Sequence, residues 1–299
     1  MAPSVGLLGI GRLGRRALAR AAAVPGLALI ALGAEPARQG QSGEGIGPGE
    51  RSRLLEALSG LDFAVLVCSL DSAADRRLVD SVLGCLPAPD RAPMMVSVVS
   101  RGSLSQSGWR PVFRRLLAAS RAAVDLWSRQ GLLVQGGRVF EARERLADLV
   151  SGLAEGLAEV LARPMEMVLD PSDLRAALAF PGRLAWGLGQ ASGPDRARRA
   201  LDRALASGAY PPENLLGAQC LLVLTIGDPG LRLGDFEYLN RRLAALAGER
   251  ARLFAGLAHD AALAQAGGLK VFFLATGLPG QGTGDRAALF RAGLREWRI

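Results

Sequence analysis

Val168-Leu-Asp-Pro-Ser-Asp-Leu174 opens a helix in the second half of the chain, and Trp186-Gly-Leu-Gly-Gln-Ala-Ser-Gly193 reads as a strand ending in a turn. Pro194-Asp-Arg-Ala-Arg-Arg-Ala200 starts the next helix. Thr225-Ile-Gly-Asp-Pro-Gly-Leu-Arg-Leu233 and Val271-Phe-Phe-Leu-Ala-Thr-Gly277 complete the series. Extended from these anchors, the pattern predicts helices over residues 173–179, 195–206 and 235–247. Strands are predicted over 183–190, 218–226, 252–259 and 270–276. Four strands with interspersed helices make an α+β unit spanning residues 164–278.

The order and spacing of these segments resemble FtsZ, the bacterial member of the tubulin family, whose corresponding motifs run NLDFADV, GIGVASGENRA, ITGGPDLTL and VTVIATGF. The resemblance implies an α/β fold of the tubulin/FtsZ type. A Rossmann-like parallel-sheet domain is joined by a central helix to the α+β domain. It also implies a cytoskeletal or filament-associated role in cell division, with GTP as the family's nucleotide.

The first half of the sequence fits that frame. Strands are predicted over residues 4–10, 27–32, 63–68 and 94–99, alternating with helices over 12–23, 54–58 and 72–83. Such alternation gives a parallel sheet with helices on both faces. A Gly/Ser/Gln-rich stretch at 38–50 reads as a loop. A long helix is predicted over 109–128, a short strand over 131–134, and a second long helix over 140–161. In that second helix Leu146, Leu149, Val150, Leu153, Leu157 and Val160 recur at helical spacing. The expected division is residues 1–138, a central helix at 139–163, the α+β domain at 164–278, and a tail at 279–299 with a short amphipathic helix.

Composition removes several function classes. Lys270 is the only lysine, so there is no Walker A loop, and His259 is the only histidine, so a two-histidine metal site is impossible. A serine or cysteine nucleophile would have little choice of base. No metal site is expected. Cys68, Cys85 and Cys220 form no CxxC pair and suit buried, inert roles in a reducing compartment. The net charge of +8 comes almost entirely from arginine. Those arginines are spread over several helices without interleaved aromatics, so nucleic acid is not an expected partner. No run approaches the roughly 18 apolar residues of a membrane span, and no secretion signal precedes the first strand, so a cytoplasmic protein is expected.

Gly9-Ile-Gly11-Arg-Leu-Gly14 is a GxGxxG between a strand and a helix, with Glu35 at the end of the second strand. Alone, it reads as a dinucleotide fingerprint and supports an NAD(P)-binding Rossmann oxidoreductase. Within the resemblance it stands where the family has GVGGAGGNA, with Arg12 and Arg15 in place of glycines. Gly9, Gly11, Arg12, Gly14 and Arg15 are then candidates for nucleotide or anion binding. Plain tight packing is the third reading.

The family's phosphate loop, GGGTGTG, is replaced by Cys68-Ser-Leu-Asp-Ser-Ala-Ala-Asp-Arg76. Ser69, Asp71, Ser72 and Asp75 stand where glycine amides and threonine hydroxyls are implied. A carboxylate about 4 Å from a phosphate costs roughly 4 kcal/mol per charge pair at an effective dielectric near 20. The family's base-stacking Phe falls on Arg143 and its guanine-bonding Asp on Ala147, with Asp148 one residue away. By contrast, Asp170 and Asp173 match both aspartates of the family's acidic loop, which acts in trans on a neighbouring subunit's nucleotide. Asp170 followed by Pro171 is also a good helix start, so capping and a trans role both stand.

The expectation is therefore a degenerate, FtsZ-like pseudo-GTPase that works by association rather than by its own catalysis. No cofactor is expected beyond residual GTP or GDP binding of low affinity. The expected partners are the chain itself, as a dimer or short oligomer, or an FtsZ-type GTP-binding protein. A divergent but active GTPase is the first alternative, and the NAD(P) oxidoreductase is the second.

Overall fold

The structure, a computed structural model, describes residues 4–24, 26–33, 46–87, 93–101, 109–120, 122–127, 132–135, 138–180, 183–208 and 212–278. The chain folds as two units, Met1–Ala158 and Glu159–Ile299.

The first unit alternates β1 (Val5–Ile10), α1 (Gly11–Ala21), β2 (Leu27–Leu32), α2 (Pro48–Ser59), β3 (Phe63–Ser69), α3 (Ala73–Leu83), β4 (Met94–Arg101), α4 (Arg110–Ala119) and β5 (Ala122–Trp127). These strands form a parallel sheet in the order β2-β1-β3-β4-β5. β1 is buried along its whole length, and β3 up to Cys68, because helices cover both faces of a parallel sheet. A hairpin of β6 (Leu132–Gln135) and β7 (Arg138–Glu141) precedes α5 (Ala142–Ala162), the helix that carries the chain into the second unit.

Three local expectations are corrected. The helix predicted over 109–128 ends at Ala119, and Ala122–Trp127 is a strand paired in parallel with β4, from Val96 opposite Ala122 to Arg101 opposite Trp127. The alanine-rich run suits a helix, but pairing with β4 overrides local propensity. Phe140, assigned to the first turn of the central helix, lies in β7. Pro48-Gly-Glu50, assigned to the loop, is the first turn of α2, with Pro48 at the start and the Glu50 carboxylate accepting from Gly47 N–H at 3.2 Å. Glu35, most of the 38–50 loop and the 279–299 tail lie outside the described residues.

The second unit contains α6 (Pro171–Leu178), β8 (Arg183–Ser192), α7 (Arg196–Ser207), β9 (Cys220–Gly227), α8 (Leu233–Ala247), β10 (Arg252–His259) and β11 (Gly268–Leu278). Its strand order is β10-β9-β11-β8, with β9 parallel to β10 and β11 antiparallel to both neighbours. The glycines of Trp186-Gly-Leu-Gly189 explain themselves here. A Cβ on Gly187 or Gly189 would collide with the main chain of α7 at Ala204 and Ala200, so only glycine lets that helix lie this close to β8. Leu201, Leu221, Val223, Leu239, Leu243, Val271 and Phe273 fill the core beneath it. Each such side chain contributes about 1.5–3 kcal/mol on burial.

Charged residues of the same unit hold its loops. Arg196 donates to Asp228 at 2.6 Å, to Asp235 at 3.0 Å, and to the carbonyls of Gly267 and Gly230. Glu159 accepts from Lys270 at 3.0 Å and from Arg163. Burial alone would raise the Glu159 carboxyl, but these two partners hold it below its ordinary value. His259 has its Nδ1 3.0 Å from the Asp228 carbonyl and its Nε2 3.2 Å from Glu166, an arrangement in which it holds a strand end.

Candidate functional site

The glycine turn divides its labour. Gly9 and Gly14 face each other where α1 crosses β1, and a Cβ on Gly9 would stand 2.5 Å from the Gly14 carbonyl oxygen. Those two glycines serve close packing. Gly11 has φ +71°, so it alone turns the chain from strand to helix. Arg12 and Arg15 are exposed on the first turn of α1. Arg15 lies over Gly33, its Nη1 2.9 Å from where a Cβ would be.

A second loop faces this turn. β3 ends at Ser69, whose hydroxyl accepts from Asp71 N–H at 3.1 Å, and Leu70 N–H donates to the Ser100 carbonyl at 2.9 Å. Arg76 reaches back from α3 and donates to the Leu70 and Asp71 carbonyls at 2.9 and 3.2 Å. Ser72 caps α3: its hydroxyl accepts from Asp75 N–H at 3.0 Å and lies 2.7 Å from the Asp75 carboxylate, to which it donates. Between the two loops lies a cavity of about 480 Å³, lined by Arg12, Leu13, Ser69, Asp71, Ser72, Asp75 and Ser100 together with Ala74. Asp75 Oδ1 stands 3.0 Å from the Cβ position of Gly11. The cavity thus brings together Arg12, Ser69, Asp71, Ser72 and Asp75, and Asp75 in turn stands against Gly11. Beneath the loop, burial pushes the Cys68 thiol far up, and the charges of Asp75 and Asp71 push it further, which disfavours the thiolate.

The predicted base-contact positions lie on α5. Ala147 is buried, and Asp148 forms an exposed ion pair with Arg20 at 3.7 Å. The side chain of Arg143 lies outside the described residues.

The acidic loop belongs to the second unit. Met167 pairs with Leu257 on β10, and Asp170 is the N-cap of α6. Its Oδ1 accepts from Ser172 N–H at 2.6 Å and from Asp173 N–H at 3.1 Å, and Asp173 Oδ2 accepts from Asp170 N–H at 3.1 Å. Both acids therefore take part in capping. Hydrogen bonding from Ser172, with Asp173 N–H and Arg175 in support, holds the Asp170 carboxyl below its ordinary value of 3.8. Met167 and Val168, just before the cap, are 45% and 66% exposed, which sets an apolar pair beside the acids.

Arg76 and Ser100 are the residues that sequence reading missed. Arg76 does carry a signal, since an arginine one turn into a helix after a Ser/Asp start is placed to bond the carbonyls before it. Ser100 carries none, since only the pairing of β3 with β4 brings it to the cavity. Among the described residues no group of three or more His, Cys, Asp and Glu could hold a metal ion, and no helix is long and apolar enough to cross a membrane.

No family model matches the chain. It is 26% identical over 236 residues to the cell division protein FtsZ of Pseudomonas aeruginosa, a match covering 77% of this chain and 59% of that protein. The chain thus aligns with less than two-thirds of the length of that curated relative. Among solved structures it resembles the empty FtsZ dimer of M. jannaschii, with TM-score 0.67 and 16% identity over 93% of this chain and 89% of that one. It also resembles the GTPγS-bound protofilament form of CetZ2 from Haloferax volcanii, with TM-score 0.59 and 14% identity over 97% and 98% of the two chains.

Proposed function

We propose that this chain, an FtsZ/tubulin-family protein by sequence and by fold, is a filament-associated subunit whose own GTP site is degenerate. The observation that carries this reading is the Asp75 carboxylate lying against Gly11, in the turn where a phosphate would need bare main chain. Two further features support it. The loop from Ser69 to Asp75 contains no glycine to open a nest of amides, and Arg76 braces it from within. The hydroxyl of Ser72, which could otherwise serve a ligand, is spent on capping α3. These residues do not fit a triphosphate, and no catalytic step is assigned to the cavity. The test is calorimetry with GTP and magnesium. No binding heat is expected in the micromolar range, and micromolar affinity would overturn the reading in favour of an active GTPase. A thermal shift with NADH, absent on this reading, would instead support the oxidoreductase alternative.

Association is the work left to such a subunit, in a cell-division setting like that named for its relatives, with a cytoplasmic location part of the same proposal. The Met167–Asp173 face supports docking on an FtsZ-type GTP-binding partner or on another copy. Its apolar pair is exposed, and beside it Asp170 is exposed and Asp173 half-buried. Asp173→Asn is the sharper probe, because an amide oxygen still accepts from Asp170 N–H while the charge is gone. The expected outcome is that wild-type protein alters a partner's GTP hydrolysis and Asp173→Asn does not. Identical behaviour of the two, with both folded, would leave the acids as caps only.

A further inference from the structure

The only histidine of the chain stands between two acceptors. His259 closes β10, with Nδ1 3.0 Å from the Asp228 carbonyl oxygen and Nε2 3.2 Å from Glu166 Oε1. A carbonyl and a carboxylate accept hydrogen bonds and donate none, and a neutral imidazole carries one N–H. Only the imidazolium therefore satisfies both contacts. The two sides are held unequally. Asp228 is buried: its carboxylate accepts from Arg196 at 2.6 Å and from Gly230 N–H at 2.7 Å, and its own N–H donates to the Gly268 carbonyl at 3.1 Å. The Glu166 side chain is 65% exposed and is free to turn to water. Charged groups on the elements around the ring are paired elsewhere. Asp260, next in the chain, meets Arg163 at 3.1 Å, and Glu159 on α5 meets both Arg163 and Lys270. Glu166 also begins the segment that leads to Met167 and Val168. Its N–H and that of Met167 donate to the Leu257 carbonyl at 2.9 and 3.2 Å, and Leu257 N–H returns a bond to the Met167 carbonyl at 3.0 Å. Leu169 lies over Gly256, 2.7 Å from where a Cβ would be, so a bare main chain seats the segment on β10.

We propose that His259 and Glu166 form a proton-controlled clasp on the segment Glu166–Leu169. With the imidazole protonated, Nε2–H donates to the carboxylate and the clasp is shut. When the ring loses a proton, Nδ1–H stays with the buried, fixed carbonyl of Asp228, and Nε2 turns a lone pair toward the carboxylate. Glu166 then leaves for water, and the pairing at Leu257 holds the segment alone. The sign follows from which form is bound. The contribution of the clasp is present on the acid side of the imidazole titration and is lost as pH rises through it. Imidazole is the side chain suited to such switching between about pH 5 and 8. A firmer presentation of Met167 and Val168 to a partner in acid rests on the docking reading above, whereas the clasp itself does not.

A sole histidine makes the test direct, because one imidazole gives one set of resonances in the untagged full chain. Long-range nitrogen NMR through its titration reports both protonation and tautomer. The deprotonated ring should be the Nδ1–H tautomer. Over the same titration, protection of the Met167 and Leu257 amides, corrected for intrinsic exchange rates, should fall by about two- to fivefold, the range of a partly exposed ion pair. Gly230 N–H, which Asp228 holds, should show no such change. Glu166→Gln is the control. Its amide oxygen accepts from the imidazolium and its amide nitrogen donates to the neutral ring, so both states are clasped and the fall should vanish. An Nε2–H tautomer after deprotonation, a flat profile at Met167 and Leu257, or an unchanged pH dependence in Glu166→Gln would each overturn the proposal. No docking partner enters this experiment, so its failure leaves the Met167–Asp173 docking reading standing, and a failure of docking leaves the clasp.

Discussion

Two helices in this chain start in the same way and face different surroundings. α3 begins with a Ser72 cap and Asp75 at its third position, and α6 begins with an Asp170 cap and Asp173 at its third position. In each, cap and acid hold one another by hydrogen bonds. At α6 the pair stands beside exposed Met167 and Val168. At α3 the pair leans over Gly11, and Arg76 locks the preceding carbonyls. One local device therefore has two outcomes: an acid offered outward at α6, and an acid closed over a cavity at α3. What differs is the neighbour that the fold brings up, and a mutation that separates the two starts tests the functional reading directly.

The largest separation is expected from charge. Asp75→Asn keeps an acceptor for Ser72 and removes the negative charge from the cavity. If that charge excludes phosphate, pyrophosphate or GTP binding should strengthen by at least about tenfold, equivalent to 1.4 kcal/mol. Asp173→Asn should leave it unchanged. Calorimetry of the two variants side by side decides the point, and equal behaviour would mean that loop shape rather than Asp75 closes the cavity. A smaller separation concerns stability. Arg76→Ala removes a charged donor from two main-chain carbonyls and should destabilise the first unit by about 1.5–3 kcal/mol in urea unfolding. Arg76→Lys should recover little of this, because an ammonium does not reproduce the reach of the guanidinium fork. An Arg76→Ala protein as stable as wild type would show that the loop needs no brace.

Most of the architecture was legible in the sequence, because the residues that declare it are the ones that force it. Gly187 and Gly189 let α7 settle on β8, Arg196 gathers Asp228 and Asp235, and Asp170-Pro171 starts α6. Each leaves a local signature at a fixed spacing. β5 reads as helix because Ala122-Ala-Val-Asp-Leu-Trp127 follows an alanine-rich helix, and only pairing with β4 distinguishes strand from helix there. The cavity was half legible. The carboxylates at 71 and 75 were visible as intrusions into a phosphate loop. The contact of Asp75 with Gly11, the brace from Arg76 and the arrival of Ser100 are tertiary, and no spacing in the sequence encodes them.

The smallest expected effect separates the two caps by their protons. Asp170 caps with a carboxylate whose folded pKa lies below 3.8, and Ser72 caps with a hydroxyl that gains no proton in that range. For a depressed acid the sign is fixed. The folded state binds the proton less readily than the unfolded chain, so the stabilising contribution is complete above about 3.8, the unfolded value, and fades as pH falls through the folded one. Acidification should therefore loosen the start of α6, while the hydroxyl that accepts from Asp75 N–H at α3 does not itself ionise. Amide hydrogen exchange reads this residue by residue. On lowering pH below about 4, protection at Ser172 and Asp173 N–H, corrected for intrinsic rates, should fall before protection at Asp75 N–H. Asp170→Asn supplies the control, since asparagine caps nearly as well as aspartate and does not ionise. In that variant the early loss at Ser172 and Asp173 should disappear. If it persists, titration elsewhere opens α6, and the carboxylate of Asp170 is not what holds the loop in the geometry that its proposed partner would meet.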